Sequence, residues 1–342
     1  MRGFSAAVAC LFFILPAWAQ WESQMSGTEV QLRGISAVSN RVAWASGAKG
    51  TVLRTIDGGE HWTKVNVPGA EALDFRDIQA FDADTAFVLS IGPGEQSRIY
   101  KTTNGGKSWQ LQFTNKDPKA FYDCFAFWDS KHGIAVSDSV DGKFPLIATS
   151  DGTTWSPVAV KNMPAALTNE GAFAASGTCI ATYGKKDVWF ATGGPAARVF
   201  HSSDRGANWT VAETPIVHGA ASQGIFSLVF WNSKDGVAVG GDYKEPGKAD
   251  ATAAFTHDGG KTWHLAQHQP SGYRSGLDVV GHMFVAVGTN GMESSNTGEG
   301  WHPLGKGSLN AISFAHLDSG WAVGPDGTIL HLNMLPKGMT DH

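Results

Sequence analysis

The stretch Thr55-Ile56-Asp57-Gly58-Gly59-Glu60-His61-Trp62 occurs in closely similar form six times along the chain. Each copy has a Ser or Thr, then Asp or Asn, then Gly and a final Trp. The other copies occupy residues 102–109, 149–155, 202–209, 256–263 and 294–301, the copy at 149–155 being one residue shorter. A phrase repeated at this spacing indicates a repeat architecture in which each copy belongs to one supersecondary unit.

Each residue type in the phrase suits a tight turn. The Asp or Asn side chain can accept hydrogen bonds from backbone N–H groups just ahead of it. The Gly permits a positive φ, and the Trp opens the next strand and covers the hairpin with its apolar face. We therefore interpret the phrase as structural. Its predicted turn residues are Asp57 and Trp62, Asn104 and Trp109, Asp151 and Trp155, Asp204 and Trp209, Asp258 and Trp263, and Asn296 and Trp301.

The spacing of the phrase predicts one four-stranded sheet for each copy. Its Asp/Asn positions are separated by 47, 47, 53, 54 and 38 residues, which suits the blades of a β-propeller. Upstream of each phrase lie an apolar segment such as 34–38, a Gly-ending segment such as 41–47, and a third strand such as 50–55. Each unit is thus predicted as strands A, B and C, the turn, and a strand D that begins with Trp.

A seventh set of A, B and C strands runs from Leu309 to Leu332, but no phrase stands near Met334, where the next one is due. Residues 21–25 resemble the strand D that follows Trp62. We therefore expect residues 20–26 to supply the missing strand, closing the ring and hiding its free sheet edges. The predicted fold is all-β, a seven-bladed β-propeller over residues 20–334, followed by a C-terminal tail at 335–342.

Residues 1–19 have the pattern of a signal peptide. Arg2 is followed by a short apolar run and by Ala17-Trp18-Ala19, a small-x-small cleavage pattern. We predict cleavage near Ala19 and an exported protein, periplasmic or extracellular. A lipoprotein anchored at Cys10 is a weaker alternative, because Cys10 lies inside the apolar run. The net charge of −5 without a basic cluster argues against a nucleic-acid partner, and no later segment is long enough to span a membrane.

The phrase is similar to the Asp-box (BNR) repeat found in sialidases, sortilin-type receptors and the photosystem II stability/assembly factor family. The longer pattern, Gly-x-Ala-Val-Gly followed by Gly-Thr-Ile-Leu and the phrase, most resembles the last family and its secreted bacterial relatives. This resemblance extends over about residues 26–334 and implies an assembly factor that holds a protein client and has no enzymatic activity. It implies no cofactor, and a monomer is expected.

The long loops predict which face binds a client. They are B–C and D–A connections, which emerge on the same side of a propeller, and binding residues often lie on such loops. They are Gly92 to Gln96, Asp138 to Phe144, Pro157 to Ser176, Thr214 to Gly224 and Asp242 to Asp250.

The starts of the A strands lie around the axis of the same face and carry the predicted binding residues. These are Arg33, Arg76, Asp123 and Asn310 at one shared repeat position, with Arg274 close to it in the sixth unit. Three guanidinium groups there suit a carboxylate ligand. The alternative is that each Arg pairs with a carboxylate of the chain itself, such as Asp77, Asp123 or Glu170.

A secreted sialidase-like or other glycoside hydrolase is the alternative function. The three Arg fit a sialidase, and Asp123 with Asp138 offers two carboxylates. The Arg-Ile-Pro signature expected of a sialidase is absent, however, and sialidase domains have six blades. Scattered His residues predict no metal site. Because Cys124 and Cys179 hold equivalent positions in neighbouring units, we favour two buried free thiols over a disulfide.

Overall fold

Short apolar segments separated by Gly-rich turns form strands throughout the protein. A computed structural model describes residues 21–333. Apart from a 3₁₀ turn at Gly94–Gln96, its regular structure is strand. The strands are β1 (Trp21–Gln24), β2 (Leu32–Ala37), β3 (Ala43–Gly47), β4 (Thr51–Thr55), β5 (Thr63–Lys64), β6 (Asp74–Ala80), β7 (Thr85–Ile91), β8 (Arg98–Thr103), β9 (Gln110–Thr114), β10 (Tyr122–Asp129), β11 (His132–Ser137), β12 (Leu146–Thr149), β13 (Ser156–Pro157), β14 (Ile180–Tyr183), β15 (Asp187–Ala191), β16 (Arg198–Ser202), β17 (Thr210–Glu213), β18 (Gln223–Phe230), β19 (Gly236–Asp242), β20 (Ala253–Thr256), β21 (His264–Leu265), β22 (Gly276–Val280), β23 (Met283–Gly288), β24 (Gly291–Ser295), β25 (His302–Gly305), β26 (Ala311–His316), β27 (Ser319–Val323) and β28 (Ile329–Asn333).

The strands form seven antiparallel four-stranded sheets, each one blade. In the first six blades the strands follow chain order, beginning with β2, β6, β10, β14, β18 and β22. The seventh sheet has the order β1-β28-β27-β26, with Trp21 opposite Leu332 and Gln24 opposite Ile329. The predicted seven-bladed propeller and its closure by the N-terminal strand are therefore confirmed. The predicted signal peptide at 1–19, the position of Met334 and the tail at 335–342 lie outside the described residues.

The core lies between neighbouring blades. Second strands are buried on both faces, because each blade packs against the next, and Trp44, Trp189 and Trp321 on these strands are fully buried. The cluster around Trp44 joins blade 1 to Phe75 and Ile78 of blade 2. Because they are buried on both faces, second strands such as β3, β19 and β27 consist almost entirely of apolar and small residues.

The Asp-box turns are held by the hydrogen bonds that the residue types suggested. In the first turn, Thr55 Oγ1 accepts the N–H of Gly59 and Asp57 Oδ1 accepts the N–H of His61. Gly58 and Gly59 both have positive φ there, at 79° and 85°. The equivalent carboxylate or amide oxygens of Asn104, Asp151, Asp204 and Asp258 also accept backbone N–H groups within their own turns.

The sixth turn differs from its predicted register. Ser295 Oγ accepts the N–H of Gly298, as Thr149 Oγ1 accepts that of Gly152 in the shortened third turn. This alignment puts Thr297, whose Oγ1 accepts the N–H of Glu299, at the position of the turn carboxylate. The assignment of Asn296 to that role was wrong by one residue, because this turn is also of the shortened type.

Cys124 and Cys179 form a disulfide, so the prediction of free thiols was wrong. Their Cα atoms lie 6.1 Å apart, within the range that a disulfide spans. The inner strands of adjacent blades converge on the propeller axis, which brings equivalent positions of blades 3 and 4 close together. The bond joins β10 to the end of the long connection that precedes β14.

Candidate functional site

Three of the five predicted binding residues, Arg33, Arg76 and Asp123, occupy a recurring β-bulge at the start of the inner strands. The register of the first two strands shifts at Arg33 in blade 1, at Arg76 in blade 2, at Asp123 in blade 3 and at Phe226 in blade 5. A bulge leaves its extra residue outside the ladder and turns its side chain away from the regular alternation. The shared repeat position seen in the sequence is therefore a geometric feature of the fold.

A cavity of about 490 Å³ opens at this end of the axis, on the face of the long loops. Its lining combines two arginines with aromatic and small polar side chains. The residues that line it are Gln31, Arg33, Arg76, Phe173, Ala174, Ala175, Phe226, Tyr243, Tyr273, Thr289, Ser308, Asn310 and Pro325. They come from the starts of inner strands and from B–C and D–A connections, the elements that the loop lengths indicated.

Arg33 is the cation of the cavity that has no carboxylate partner. Among the described residues it makes no ion pair, and its buried Nε has no hydrogen-bond partner there. Its Nη1 donates to the carbonyl of Ala175 at 3.3 Å. Burial lowers the pKa of Arg33, and the neighbouring charge of Arg76 lowers it further. A desolvated, unpaired guanidinium is costly unless an anion reaches it.

Arg76 is only partly neutralised. Its Nε donates to Asp74 Oδ2 at 2.9 Å, and its Nη1 donates to the carbonyl of Ala174 at 2.9 Å. About a quarter of the side chain, 27%, remains exposed. The alternative interpretation, in which each Arg pairs with a carboxylate of the chain, therefore applies to Arg76 and not to Arg33.

Arg274 does not line the cavity, so its assignment to the binding group is corrected. Its side chain is fully buried, and its Nη2 lies 2.6 Å from Glu293 Oε2. The backbone N–H of Arg274 donates to the carbonyl of Gly240 in the preceding blade. In the same way, the backbone N–H of Leu32 in blade 1 donates to the carbonyl of Gly324 in blade 7. Arg274 is thus equivalent to the core residue Leu32, and Ser275 holds the position equivalent to Arg33. A shift of one residue turns a strand side chain to the opposite face.

The two remaining predicted residues differ in accessibility. Asn310 lines the cavity, and its Nδ2 donates to the carbonyl of Leu32 at 2.8 Å, which ties blade 7 to blade 1. Asp123 is 2% exposed and does not line the cavity. Burial raises its pKa well above the ordinary range, and the nearby carboxylate of Asp138 adds to the rise.

An aromatic wall made of Phe173, Phe226, Tyr243 and Tyr273 bounds the cavity. Phe173 stacks on Phe226 with ring centres 3.9 Å apart, and Tyr273 meets Phe226 edge-on at 4.8 Å. Tyr243 leans against the same ring and is 48% exposed. Phe173 was not singled out from the sequence, because the segment that carries it has no counterpart in the other units. The cavity therefore combines guanidinium donors with an apolar surface.

Residues 170–178, which we call the strap, run beneath the cavity. Phe173, Ala174 and Ala175 line it, whereas Ser176, Gly177 and Thr178 line a second space of about 300 Å³ that reaches the middle of the inner strands. The strap thus separates two parts of the axial channel. Its start is fixed by Glu170, which forms a buried ion pair with Arg198.

One group of possible metal ligands exists among the described residues. Asp57, Glu60 and His61 place their ligand atoms within 4.8 Å of one another in the first Asp-box turn. His61 Nδ1 lies 2.8 Å from Asp57 Oδ2, so the group is explained by a hydrogen bond within the turn. The expectation of no metal site stays a prediction.

The fold and the repeat place this chain among the Asp-box β-propellers. A family model described as photosynthesis system II assembly factor YCF48 matches residues 15–133, and the BNR/Asp-box repeat matches residues 254–265. The chain is an Asp-box β-propeller that resembles these assembly factors.

Named relatives support the same resemblance. Photosystem II assembly lipoprotein Ycf48 of Synechococcus sp. (strain CC9902) is 25% identical over 71% of this chain, and the match spans 65% of that relative. Photosystem II assembly protein Ycf48 of Synechococcus sp. (strain JA-2-3B'a(2-13)) is 27% identical over 66% of this chain and 71% of its own length. A solved structure of YCF48 bound to D1 peptide shares the fold, with a TM-score of 0.65 and 14% identity over 92% of this chain and 96% of that chain.

Within residues 21–333, no helix has the length and apolar character needed to cross a membrane.

Proposed function

We propose that this protein is a non-enzymatic, protein-binding assembly factor that holds an acidic segment of a client protein in the axial cavity. Arg33 and Arg76 receive a carboxylate of the client, and the aromatic wall receives an adjacent apolar side chain. The observation that carries the proposal is Arg33, a half-buried guanidinium with a free Nε and no ion pair among the described residues. Such a group in a concave site suits an anionic ligand.

The comparisons support the class of function. The relatives are named as photosystem II assembly proteins, and the structure of similar fold is described as bound to D1 peptide. These descriptions belong to those proteins. For this chain they support a peptide-like client in preference to a small molecule, and the cavity offers the combination of charge and apolar surface that a peptide segment requires.

The hydrolase alternative is not favoured. A sialidase needs three arginines around one carboxylate, whereas Arg274 is buried against Glu293 on the other side of its strand. Asp123, one of the two carboxylates considered for a glycosidase, is buried and does not line the cavity. A turnover assay with a sialoside and aryl glycosides tests this alternative, and we expect no turnover.

We also propose export to the periplasm or the exterior after cleavage near Ala19. The disulfide between Cys124 and Cys179 supports this proposal, because such bonds persist in oxidising compartments. N-terminal sequencing of the protein from the exported fraction tests it. We expect Gln20 as the first residue, and a lipid-modified Cys10 would instead support anchoring.

Binding of a short fluorescein-labelled peptide of alternating Glu and Phe tests the cavity. We expect the Arg33→Gln/Arg76→Gln variant to bind on the order of a hundredfold more weakly, because hydrogen bonds between charged groups contribute about 1.5–3 kcal/mol each. Arg33→Lys/Arg76→Lys keeps the charge without the planar donor fork, so its affinity for the peptide should lie between that of the wild type and that of the double Gln variant. The matching Gln and Phe peptide should bind poorly to all forms.

The matched control is Arg41→Gln/Arg205→Gln. Both residues lie in turns of the opposite face, so the same change in net charge should leave the affinity unaltered. If this control variant and Arg33→Gln/Arg76→Gln lose the same affinity, the loss depends only on the net charge of the protein, which contradicts the proposal. Affinity capture from the exported fraction, with the same variants, then identifies the client.

A further inference from the structure

The strap lies against two carboxylates on one side. Asp138 Oδ1 accepts the N–H of Ala172 at 2.9 Å, and the backbone N–H of Ala174 acts to lower the pKa of the nearby Asp123 carboxyl. Gly171 lies so close to Asp138 that an added Cβ would be 2.3 Å from Oδ1. The strap therefore rests directly on the carboxylate of Asp138.

The same strap is held from the other side by the arginines of the cavity. The carbonyls of Ala174 and Ala175 accept hydrogen bonds from Arg76 Nη1 and Arg33 Nη1. Each contact fixes one arm of a guanidinium and leaves its Nη2 without a hydrogen-bond partner among the described residues. The position of the strap therefore decides how both guanidinium groups are presented to a ligand.

Asp123 and Asp138 are neighbours at the open end of β10 and β11. Tyr122 is opposite Ser137 in the ladder, and the N–H of Asp138 donates to Phe121. Asp123 is buried and Asp138 is partly buried, and Asp123 Oδ2 has no hydrogen-bond partner among the described residues. Two carboxylates placed side by side in such surroundings resist carrying two negative charges.

We propose that Asp123 and Asp138 share one proton in mildly acidic solution and act as positioning residues for the strap, so that loss of this proton loosens the strap and weakens anion binding at Arg33 and Arg76. The binding part rests on the proposed function. When the proton leaves to water, the second carboxylate charge repels the first and adds negative charge next to Arg76. The N–H of Ala172 favours the ionised form of Asp138 and acts against the loosening, but the desolvation of the carboxyl outweighs it.

The surrounding charged groups are consistent with this direction. Burial and the charge of Asp138 raise the pKa of Asp123, and the charge of Arg76 acts against this rise. Burial raises the pKa of Asp138 to about 6. The cavity holds Arg33, Arg76 and Asp74, and Tyr273 also faces the arginines. With one proton shared, the charges of these residues and of the pair cancel, and ionisation of both members of the pair makes the balance negative.

Two other titratable groups contact the strap and are distinguished from the pair. Glu170 at its start is engaged in the ion pair with Arg198. Asp77 faces Gly177 near its end. Burial raises the pKa of Asp77, while the N–H groups of Phe125 and Ile78 act against the rise. Because neither residue shares a site with a second carboxylate in this way, the pair at Asp123 and Asp138 is the group that the experiment addresses.

Hydrogen–deuterium exchange of the wild-type protein tests the hold on the strap without any ligand. After correction for intrinsic exchange rates, we expect protection of residues 170–178 to fall on the order of tenfold between pH 5.5 and pH 8. The Asp138→Asn variant cannot share the proton in the same way and should lose this pH dependence. Asp278→Asn is the matched control, because burial also raises the pKa of Asp278 to about 6, but its carboxylate accepts the N–H groups of Val279 and Phe314 and none from the strap.

The labelled Glu and Phe peptide tests the effect on binding. Wild-type affinity should fall on the order of tenfold over the same pH range, the fall should vanish in Asp138→Asn, and it should persist in Asp278→Asn. Strap protection that is equal at both pH values overturns the proposal, as does loss of the pH dependence in Asp278→Asn. Strap protection that depends on pH, without peptide binding at any pH, contradicts the proposed function and supports the hold of the pair on the strap.

Discussion

At the scale of single residues, the Asp-box turn needs an acceptor oxygen more than a charge. Asp258 Oδ1 accepts the N–H of Thr262 while Oδ2 accepts its hydroxyl. Asn104 makes the same arrangement with Ser108, its Nδ2 donating to the hydroxyl. Burial raises the pKa of Asp258, but hydrogen bonds from Thr262, Thr256 and Lys261 outweigh it and lower the pKa to about 2.

This comparison predicts the acid sensitivity of the turn. A carboxylate with a lowered folded pKa contributes stability above its unfolded pKa of about 3.9, and this contribution is lost as the pH falls through about 2. Asp258→Asn should therefore remove about 1 kcal/mol of the stability lost between pH 4 and pH 2, after allowance for solvent screening. Urea unfolding at both pH values measures it. Asn104→Asp should make the free energy of unfolding fall more steeply between pH 4 and pH 2 than in the wild type. An equal fall in the wild type, Asp258→Asn and Asn104→Asp would contradict this prediction.

Arg274 yields a second prediction at this scale. Arg274→Met leaves Glu293 as an unpaired buried charge, which should cost about 3–5 kcal/mol of unfolding free energy. Arg274→Met/Glu293→Leu removes both charges and should recover most of the loss. Urea unfolding of the two variants provides the measurement. A single variant as stable as the wild type would show that the ion pair does not stabilise the fold.

The residue scale also shows where sequence reasoning reached its limit. The shared repeat position was recognised at Arg33, Arg76, Asp123 and Asn310, because those strands keep one spacing between this position and the first apolar residue. In blade 6 the charged residue occurs one position earlier. A polar residue at a core position contradicts the pattern of the repeat, and only the contact with Glu293 shows that Arg274 is buried there.

At the scale of elements, the long connection between β13 and β14 sets the properties of the site. The disulfide fixes its end, and because it closes a sequence separation of 55 residues, the chain-entropy estimate for its contribution is about 4 kcal/mol. Cys124→Ala/Cys179→Ala should lose stability of this order. Wild-type protein unfolded in the presence of a reductant should match the variant. Two reactive thiols in denatured, unreduced wild-type protein would show that the bond is absent.

This connection is also the element that the sequence could not define. Strands that recur at a constant spacing were predictable because six turns mark their ends. The strap has no such marker, and its course depends on contacts with the inner strands of blades 1 and 2 and with Asp138 after β11 of blade 3. The distance between Cys124 and Cys179 depends in the same way on how closely the inner strands approach the axis.

At the scale of the whole molecule, closure of the ring depends on one side chain in β1. Gln24 Oε1 accepts the indole N–H of Trp62 in blade 1 and that of Trp321 in blade 7, and its Nε2 donates to the carbonyl of Gly58. Gln112 makes the equivalent contact inside the ring, where it accepts the indole N–H of Trp155. Substitutions at these two glutamines therefore allow the closure of the ring to be compared with an ordinary boundary between two blades.

Gln24→Leu should destabilise the protein more than Gln112→Leu. Gln24→Leu leaves two indole N–H groups without an acceptor, each of which should lower the free energy of unfolding by about 1–3 kcal/mol. Gln112→Leu leaves only one indole N–H group without its acceptor. The closure also joins segments that are distant in the chain, so its opening exposes the edges of β28 and β1. Blades 2 and 3, at whose boundary Gln112 lies, stay connected by the chain even if their contact weakens. Hydrogen–deuterium exchange should therefore show β28 losing protection before the other blades in Gln24→Leu, with uniform loss in Gln112→Leu. Uniform exchange in both variants would mean that the ring unfolds as one unit and that β1 is no weaker than any other strand.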